Sequence, residues 1–205
     1  MDFHVWDQIY RGKGNKYSGT RTFTIFAGES LQVRIYIIGY MSSGKSWLGK
    51  ELAERTGYQF TDLDTVFEER YRLSILDFFS KYGEALFRDL ESRLLHETAS
   101  LSQAIISTGG GAPCWPGNMQ FILKAGISVY LKMPLPELLQ RIRRIKKKRP
   151  LLINIPHDRL EDYIKTQLAE REAFYNHANF AFSGPDYPVE EILRTVFSSR
   201  ATFST

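Results

Sequence analysis

Cysteine is almost absent: Cys114 stands alone among 205 residues, so no internal disulfide can form. A chain of this length buries roughly 70% of the surface its unfolded form exposes and needs no covalent staple. A secreted, disulfide-built scaffold is excluded. No stretch approaches the roughly 18 to 20 uninterrupted apolar residues of a membrane span, and the N-terminus lacks a basic region followed by an apolar core. The expectation is a cytoplasmic protein with no membrane partner. Acid is missing from one place in particular. Residues 141–149 hold seven basic side chains in nine positions and no carboxylate, although the whole chain carries 27 Lys plus Arg against 23 Asp plus Glu, a formal net charge of +4. Outside that window the balance is slightly acidic. Such a run suits a nucleic-acid patch, a solvated helix face or a clamp for a polyanionic ligand, and composition alone favours the solvated face.

Residues 1–32 carry Gly12, Gly14, Gly19 and Gly28 with isolated aromatics and no sustained period of 2 or 3.6. They are expected to be an extension outside the core, a tail in preference to an added edge strand at Thr22 to Phe26. From Val33 to the end a single domain is expected. Short β-branched runs (Val33 to Ile38, Gln59 to Leu63, Ala104 to Ser107, Ile127 to Leu131, Ala178 to Phe182) alternate with helical patterns, among them 117–125, 135–146, 158–176 and 188–199. Ser74 with Asp77 three residues on marks a helix start. The fold class expected is α/β, a parallel sheet of about five strands covered by helices on both faces.

Gly39-Tyr-Met-Ser-Ser-Gly44-Lys45-Ser46 satisfies G-x-x-x-x-G-K-[ST] directly after one expected strand and directly before a helix. Both context requirements of a phosphate-binding loop are therefore met. Its backbone N–H groups at Ser42, Ser43 and Gly44 and the helix N-terminus favour a phosphate chain. Lys45 is placed to reach the β- and γ-phosphates and Ser46 to offer its hydroxyl to Mg²⁺. Trp47 stands where many such loops carry a second hydroxyl. Its N–H can still serve a phosphate, and its indole is expected to pack on a neighbouring element.

Other candidates lie further along. Asp62 and Asp64 end the second strand, where alternation sends both to one side. One can hold a hydrated Mg²⁺ and the other meet an acceptor hydroxyl, or either can cap the following helix; the pair alone is balanced between these. Arg88 and Glu91 share a helix face, a spacing equally common in surface ion pairs. Gly109, Gly110 and Gly111 end the third strand, where a flexible turn rarely needs three glycines. Arg149 closes the basic run and Arg171 lies on a late helix.

Together these motifs resemble the shikimate kinases, P-loop enzymes related in fold to the nucleoside monophosphate kinases, over about Val33 to Leu193. The resemblance rests on Gly39 to Ser46, Asp62-x-Asp64, Gly83-Glu84-x-x-Phe87-Arg88-x-x-Glu91, Gly109-Gly110-Gly111, Arg149-Pro-Leu-Leu and Arg171-x-x-x-Tyr175. It implies phosphoryl transfer from MgATP to the 3-hydroxyl of shikimate by a monomer, in the route to aromatic amino acids. In that family's terms Asp64 meets the shikimate hydroxyls and orients the attacking one. Arg88 and Arg171 hold the carboxylate, Glu91 fixes Arg88, and Gly109 to Gly111 line the substrate. Ser46 and Asp62 hold Mg²⁺, and Arg149 covers the ATP phosphates from a mobile lid at about 146–158. Ser42 departs from the family pattern, which commonly has glycine there, as does Trp47. No basic residue near Asp186 to Pro188 is assigned to the adenine. The alternatives are another P-loop small-molecule kinase of gluconate or nucleotide type, a switch-type NTPase, a nucleotide-binding protein without catalysis, and a nucleic-acid module built on the basic run.

Overall fold

The computed structural model describes residues 33–144, 150–153 and 155–198. The N-terminal extension and the end of the basic run, Lys146 to Arg149, lie outside the described residues. Five strands, β1 (Arg34–Ile38), β2 (Gln59–Asp62), β3 (Ala104–Ser107), β4 (Ile127–Lys132) and β5 (Phe180–Ser183), form one sheet in the order β2-β3-β1-β4-β5, every pair parallel. Seven α-helices are present among the described residues: α1 (Lys45–Thr56), α2 (Leu63–Tyr71), α3 (Ile75–Glu97), α4 (Asn118–Ala125), α5 (Leu135–Arg144), α6 (Leu160–Tyr175) and α7 (Val189–Ser198). The α/β expectation holds.

Central strands of a sheet covered on both faces cannot afford alternation, and these do not have it. Ile35 to Ile38 are all buried, as is every residue of β3, whereas the edge strand β5 is no more than half-buried. Arg34, at the start of β1, uses its guanidinium to tie loops to the sheet, donating to the carbonyls of Ala125 at 2.7 Å and Leu101 at 2.8 Å. The strand order places β2, β3 and β1 side by side, so their carboxyl ends open into one crevice between α1, α2 and the glycine turn after β3.

A second, smaller core joins α2 to α3. Val66, Phe67, Phe78, Phe87 and Leu94 are buried together, with the Phe67 ring 5.0 Å from Phe78 and 4.7 Å from Phe87. Each such side chain contributes on the order of 1.5–3 kcal/mol by leaving water. Arg70 adds a two-pronged link from α2 to the far end of α3, bonding Glu97 at 2.9 and 2.8 Å. Ser74 caps α3 as its sequence suggests, accepting from the Asp77 N–H at 3.0 Å. The helix then breaks at Gly83, whose φ of 81° and ψ of 169° no helix contains. It therefore consists of two segments, one before and one after that residue.

Candidate active site

The loop from Gly39 to Gly44 leaves β1 and enters α1 through Gly44, held at φ 102°. Lys45 folds back along it and donates to the carbonyls of Gly39 at 2.9 Å and Tyr40 at 2.8 Å. Ser42 has φ 66°, a left-handed conformation that costs a side-chain-bearing residue on the order of 1 kcal/mol, which explains why glycine suits this position. Its hydroxyl is buried without a hydrogen-bond partner among the described residues. Ser43 turns its side chain under the loop, fully buried, while its N–H reaches the Tyr40 carbonyl at 3.3 Å.

Where β2 gives way to α2, Asp62 serves as both helix cap and site residue. One carboxylate oxygen accepts the Asp64 N–H at 3.1 Å and the other accepts the Ser46 hydroxyl at 2.5 Å. The strand ends at Asp62, so Asp64 already belongs to the first turn of α2. It reaches the same side as Asp62 through the helix turn, not through strand alternation as the sequence suggested. Ser46 Oγ is also 3.5 Å from Ser107 Oγ at the end of β3. These oxygens form a donor set suited to a hard cation. A single carboxylate beside a hydroxyl fits Mg²⁺, an ion that takes one or two carboxylates and completes its shell with phosphate and water.

Across the crevice, α3 presents Arg88 and Glu91, both buried, bonded at 2.7 Å. Glu84, one turn earlier, accepts from Arg88 at 3.2 and 3.1 Å. Burial works against the guanidinium charge, and Glu91 and Glu84 more than offset it. Burial likewise pushes the Glu91 carboxyl up to about 7, with Arg88 opposing the shift and Asp64 adding to it. The glycine turn after β3 must be glycine because these groups press on it. A Cβ on Gly109 would lie 2.0 Å from Glu91 Oε1, and one on Gly111 would lie 2.5 Å from the Arg88 guanidinium. From α6, Arg171 completes the far wall, its Nη2 donating to Gln167 at 2.9 Å. Cys114 sits behind this wall, partly buried, its thiol pushed up to about 11 by burial, which leaves it unreactive at neutral pH.

One cavity of about 490 Å³ brings most of these residues together. Of the residues singled out in the sequence, Ser42, Gly44, Lys45, Ser46, Trp47, Asp62, Asp64, Arg88, Glu91, Gly109, Gly110, Gly111 and Arg171 line it; Ser43 does not, and Arg149 lies outside the described residues. Pro150 and Leu151, which follow Arg149, do line it. Trp47 is 53% exposed and stands at the rim between the main cavity and a side hollow of about 260 Å³.

That hollow is bounded by Gly44, Trp47, Arg141, Pro185, Asp186 and Tyr187, and Arg141 donates to the Pro185 carbonyl at 2.8 Å. Sequence reasoning missed Arg141. Nothing in a run of seven basic residues distinguishes the one that reaches a loop 44 positions later. It also missed the apolar wall of Ile75, Leu76, Phe79 and Phe87, whose periodicity reads as ordinary core.

The family model described as Shikimate kinase matches residues 41–199. The chain belongs to the shikimate kinase family. The shikimate kinase of Parabacteroides distasonis is 41% identical over 149 residues, 73% of this chain and 86% of that protein. Among solved structures, the shikimate kinase of Bacteroides thetaiotaomicron aligns with a TM-score of 0.75 at 37% identity, covering 82% of this chain and 99% of that one. The Acinetobacter baumannii shikimate kinase, solved in complex with shikimate, aligns with a TM-score of 0.77 at 33% identity, covering 84% and 96%. The shikimate kinase motifs quoted from the sequence, outside the undescribed Arg149, thus fall on the loop ends and helix faces that meet at the crevice.

Proposed function

We propose that this protein transfers the γ-phosphoryl group of ATP to the 3-hydroxyl of shikimate, giving shikimate 3-phosphate and ADP, as a cytoplasmic monomer. The observation that carries the reading is the single cavity in which a phosphate-binding loop faces two arginines and an aspartate. Shikimate offers a planar carboxylate at one end, which suits arginine forks, and hydroxyls at the other, which suit an acceptor-only carboxylate. A gluconate or nucleotide kinase would have no evident use for the buried Arg88–Glu91 pair pressed against Gly109 and Gly111.

In this reading Ser46 and Asp62 would hold a Mg²⁺, which when bound would neutralise phosphate charge. Lys45 exchanges its loop carbonyls for the β- and γ-phosphate oxygens, an exchange open to an ammonium on a flexible stem. Asp64 orients the attacking hydroxyl and takes its proton as the oxygen–phosphorus bond forms and the bond to ADP breaks. Because the transition state is loose, positioning and charge neutralisation outweigh proton abstraction, so Asp64 is an orienting group first. Arg88 and Arg171 hold the carboxylate, and Glu91 relieves the repulsion between two guanidinium groups that share one small anion. Arg149 covers the phosphates. The base fits the hollow of Trp47, Arg141 and Pro185, where an arginine plane and an exposed indole offer stacking faces. The test is ADP release from MgATP with shikimate, gluconate and nucleoside monophosphates as acceptors; turnover with shikimate is expected, and its absence overturns the reading.

A further inference from the structure

The two carboxylate-binding arginines are supported in different ways. Arg88 is braced by two acids, Glu84 and Glu91. Arg171 forms no ion pair among the described residues. Instead its guanidinium carbon lies 5.1 Å from the centroid of the Tyr40 ring. Tyr40 is the second residue of the phosphate-binding loop, 1% exposed, and its carbonyl accepts the Lys45 ammonium at 2.8 Å. Its hydroxyl is buried with no hydrogen-bond partner among the described residues, and burial pushes the phenol up to about 12, so it is neutral. The hydroxyl explains nothing about the placement; the ring does. The spacing around the pair is tight, since a Cβ on Gly110 would stand 3.1 Å from the Met41 nitrogen and 3.5 Å from Arg171 Nη1. Tyr175, one turn beyond Arg171, donates to the Gly110 carbonyl and holds that turn in place.

An acid beside Arg171 would occupy the N–H donors that the acceptor's carboxylate needs and would repel that carboxylate. An aromatic face attracts the cation without occupying any N–H donor, and the Gln167 amide that accepts from Nη2 at 2.9 Å is neutral, so the guanidinium charge stays available to the carboxylate. We propose that Tyr40 is a positioning residue for the acceptor, its ring supporting the Arg171 guanidinium in the plane that receives the carboxylate. The inference rests on Arg171 being a carboxylate partner, as argued above. It assigns to a loop residue, whose neighbours serve phosphate, a role in acceptor affinity.

Steady-state kinetics on Tyr40→Phe, Tyr40→Leu and Arg171→Ala test it, with shikimate and ATP varied separately. Tyr40→Phe keeps the ring and loses only an unpaired hydroxyl, so the shikimate KM stays within about twofold of the unaltered protein. Tyr40→Leu keeps the apolar volume and loses the ring; the shikimate KM rises roughly five- to tenfold, the range of a desolvated cation–π contact, while the ATP KM and kcat move less than about twofold. In the Arg171→Ala background Tyr40→Leu adds nothing further, because the contact is already gone. Should the leucine variant fail to fold, Tyr40→Met, unbranched and longer, replaces it. A shikimate KM unmoved by loss of the ring overturns the proposal, as does Tyr40→Phe as damaging as Tyr40→Leu, or an ATP KM that rises in step with that for shikimate. If Arg171→Ala itself leaves the shikimate KM unchanged, it is the carboxylate assignment that fails.

Discussion

The phosphate end of the cavity is built mainly from one stretch of chain. Gly39 to Ser46 supplies the turn, the ammonium and the hydroxyl, with Asp62 and Ser107 reaching Ser46 from the ends of β2 and β3. The acceptor end is assembled from α2, both segments of α3, the glycine turn and α6. At the first end the donors are mostly backbone, whose geometry follows from where the chain turns. At the second the chemistry lies in charges that must balance one another, as buried Arg88 and Glu91 do with the more exposed Glu84. Backbone sites tolerate a changed side chain so long as the turn survives, whereas a balanced charge site transmits the loss of any member to the rest.

The largest effect should come where the nucleotide end does depend on a side chain. Lys45→Ala is expected to lower kcat by about a thousandfold with shikimate saturating, the scale set by removing a transition-state charge partner, and single-turnover phosphoryl transfer measures it. Next, Arg88→Ala breaks the balanced end. The shikimate KM should rise on the order of a hundredfold while MgADP binding is nearly intact, and the stranded Glu91 should lower stability by about 3 kcal/mol in urea unfolding. Arg171→Ala should match the first loss without the second, since it strands no acid. Equal loss of nucleotide and acceptor binding in either variant would erase the distinction between the ends.

A smaller effect separates the ends by pH. The Glu91 carboxyl lies above its ordinary value, near 7. Below that pH it is neutral and leaves Arg88 balanced by Glu84 alone, so the acceptor's carboxylate binds with uptake of a proton. The shikimate KM should be severalfold lower at pH 6 than at pH 8, the ATP KM should not follow, and Glu91→Gln should flatten the slope. The same elevation means that the folded protein holds a proton the unfolded chain has lost between about 4.5 and 7. The contribution of Glu91 to stability is therefore present at low pH and declines as pH rises through that window. The smallest effect tests the loop itself. Ser42→Gly relieves a left-handed serine with an unpartnered hydroxyl, and the melting temperature should rise by about 1–4 °C with the shikimate KM unchanged.

What the sequence made legible follows the same division. Strand β1, the loop and α1 announce themselves because local pattern and local chemistry coincide there. Asp62 was ambiguous between cap and ligand for a physical reason: its two oxygens do both, one toward Asp64 and one toward Ser46. Arg88 and Glu91 looked like any helical ion pair until the turn of Gly109 and Gly111 was seen pressed against them. Trp47 was expected to pack because large aromatics usually do, yet the side hollow leaves its indole at the rim. Arg141 was hidden among identical neighbours, and only the return of the chain at Pro185 distinguishes it.

The two ends share one enclosure, with Trp47 at one side and Arg171 at the other. For a chemist this is an invitation to tether. A molecule joining a nucleotide-like head to a carboxylate-bearing ring would surrender its rotational and translational freedom once instead of twice, and its second head would meet the site at an effective concentration in the millimolar range for a short flexible linker.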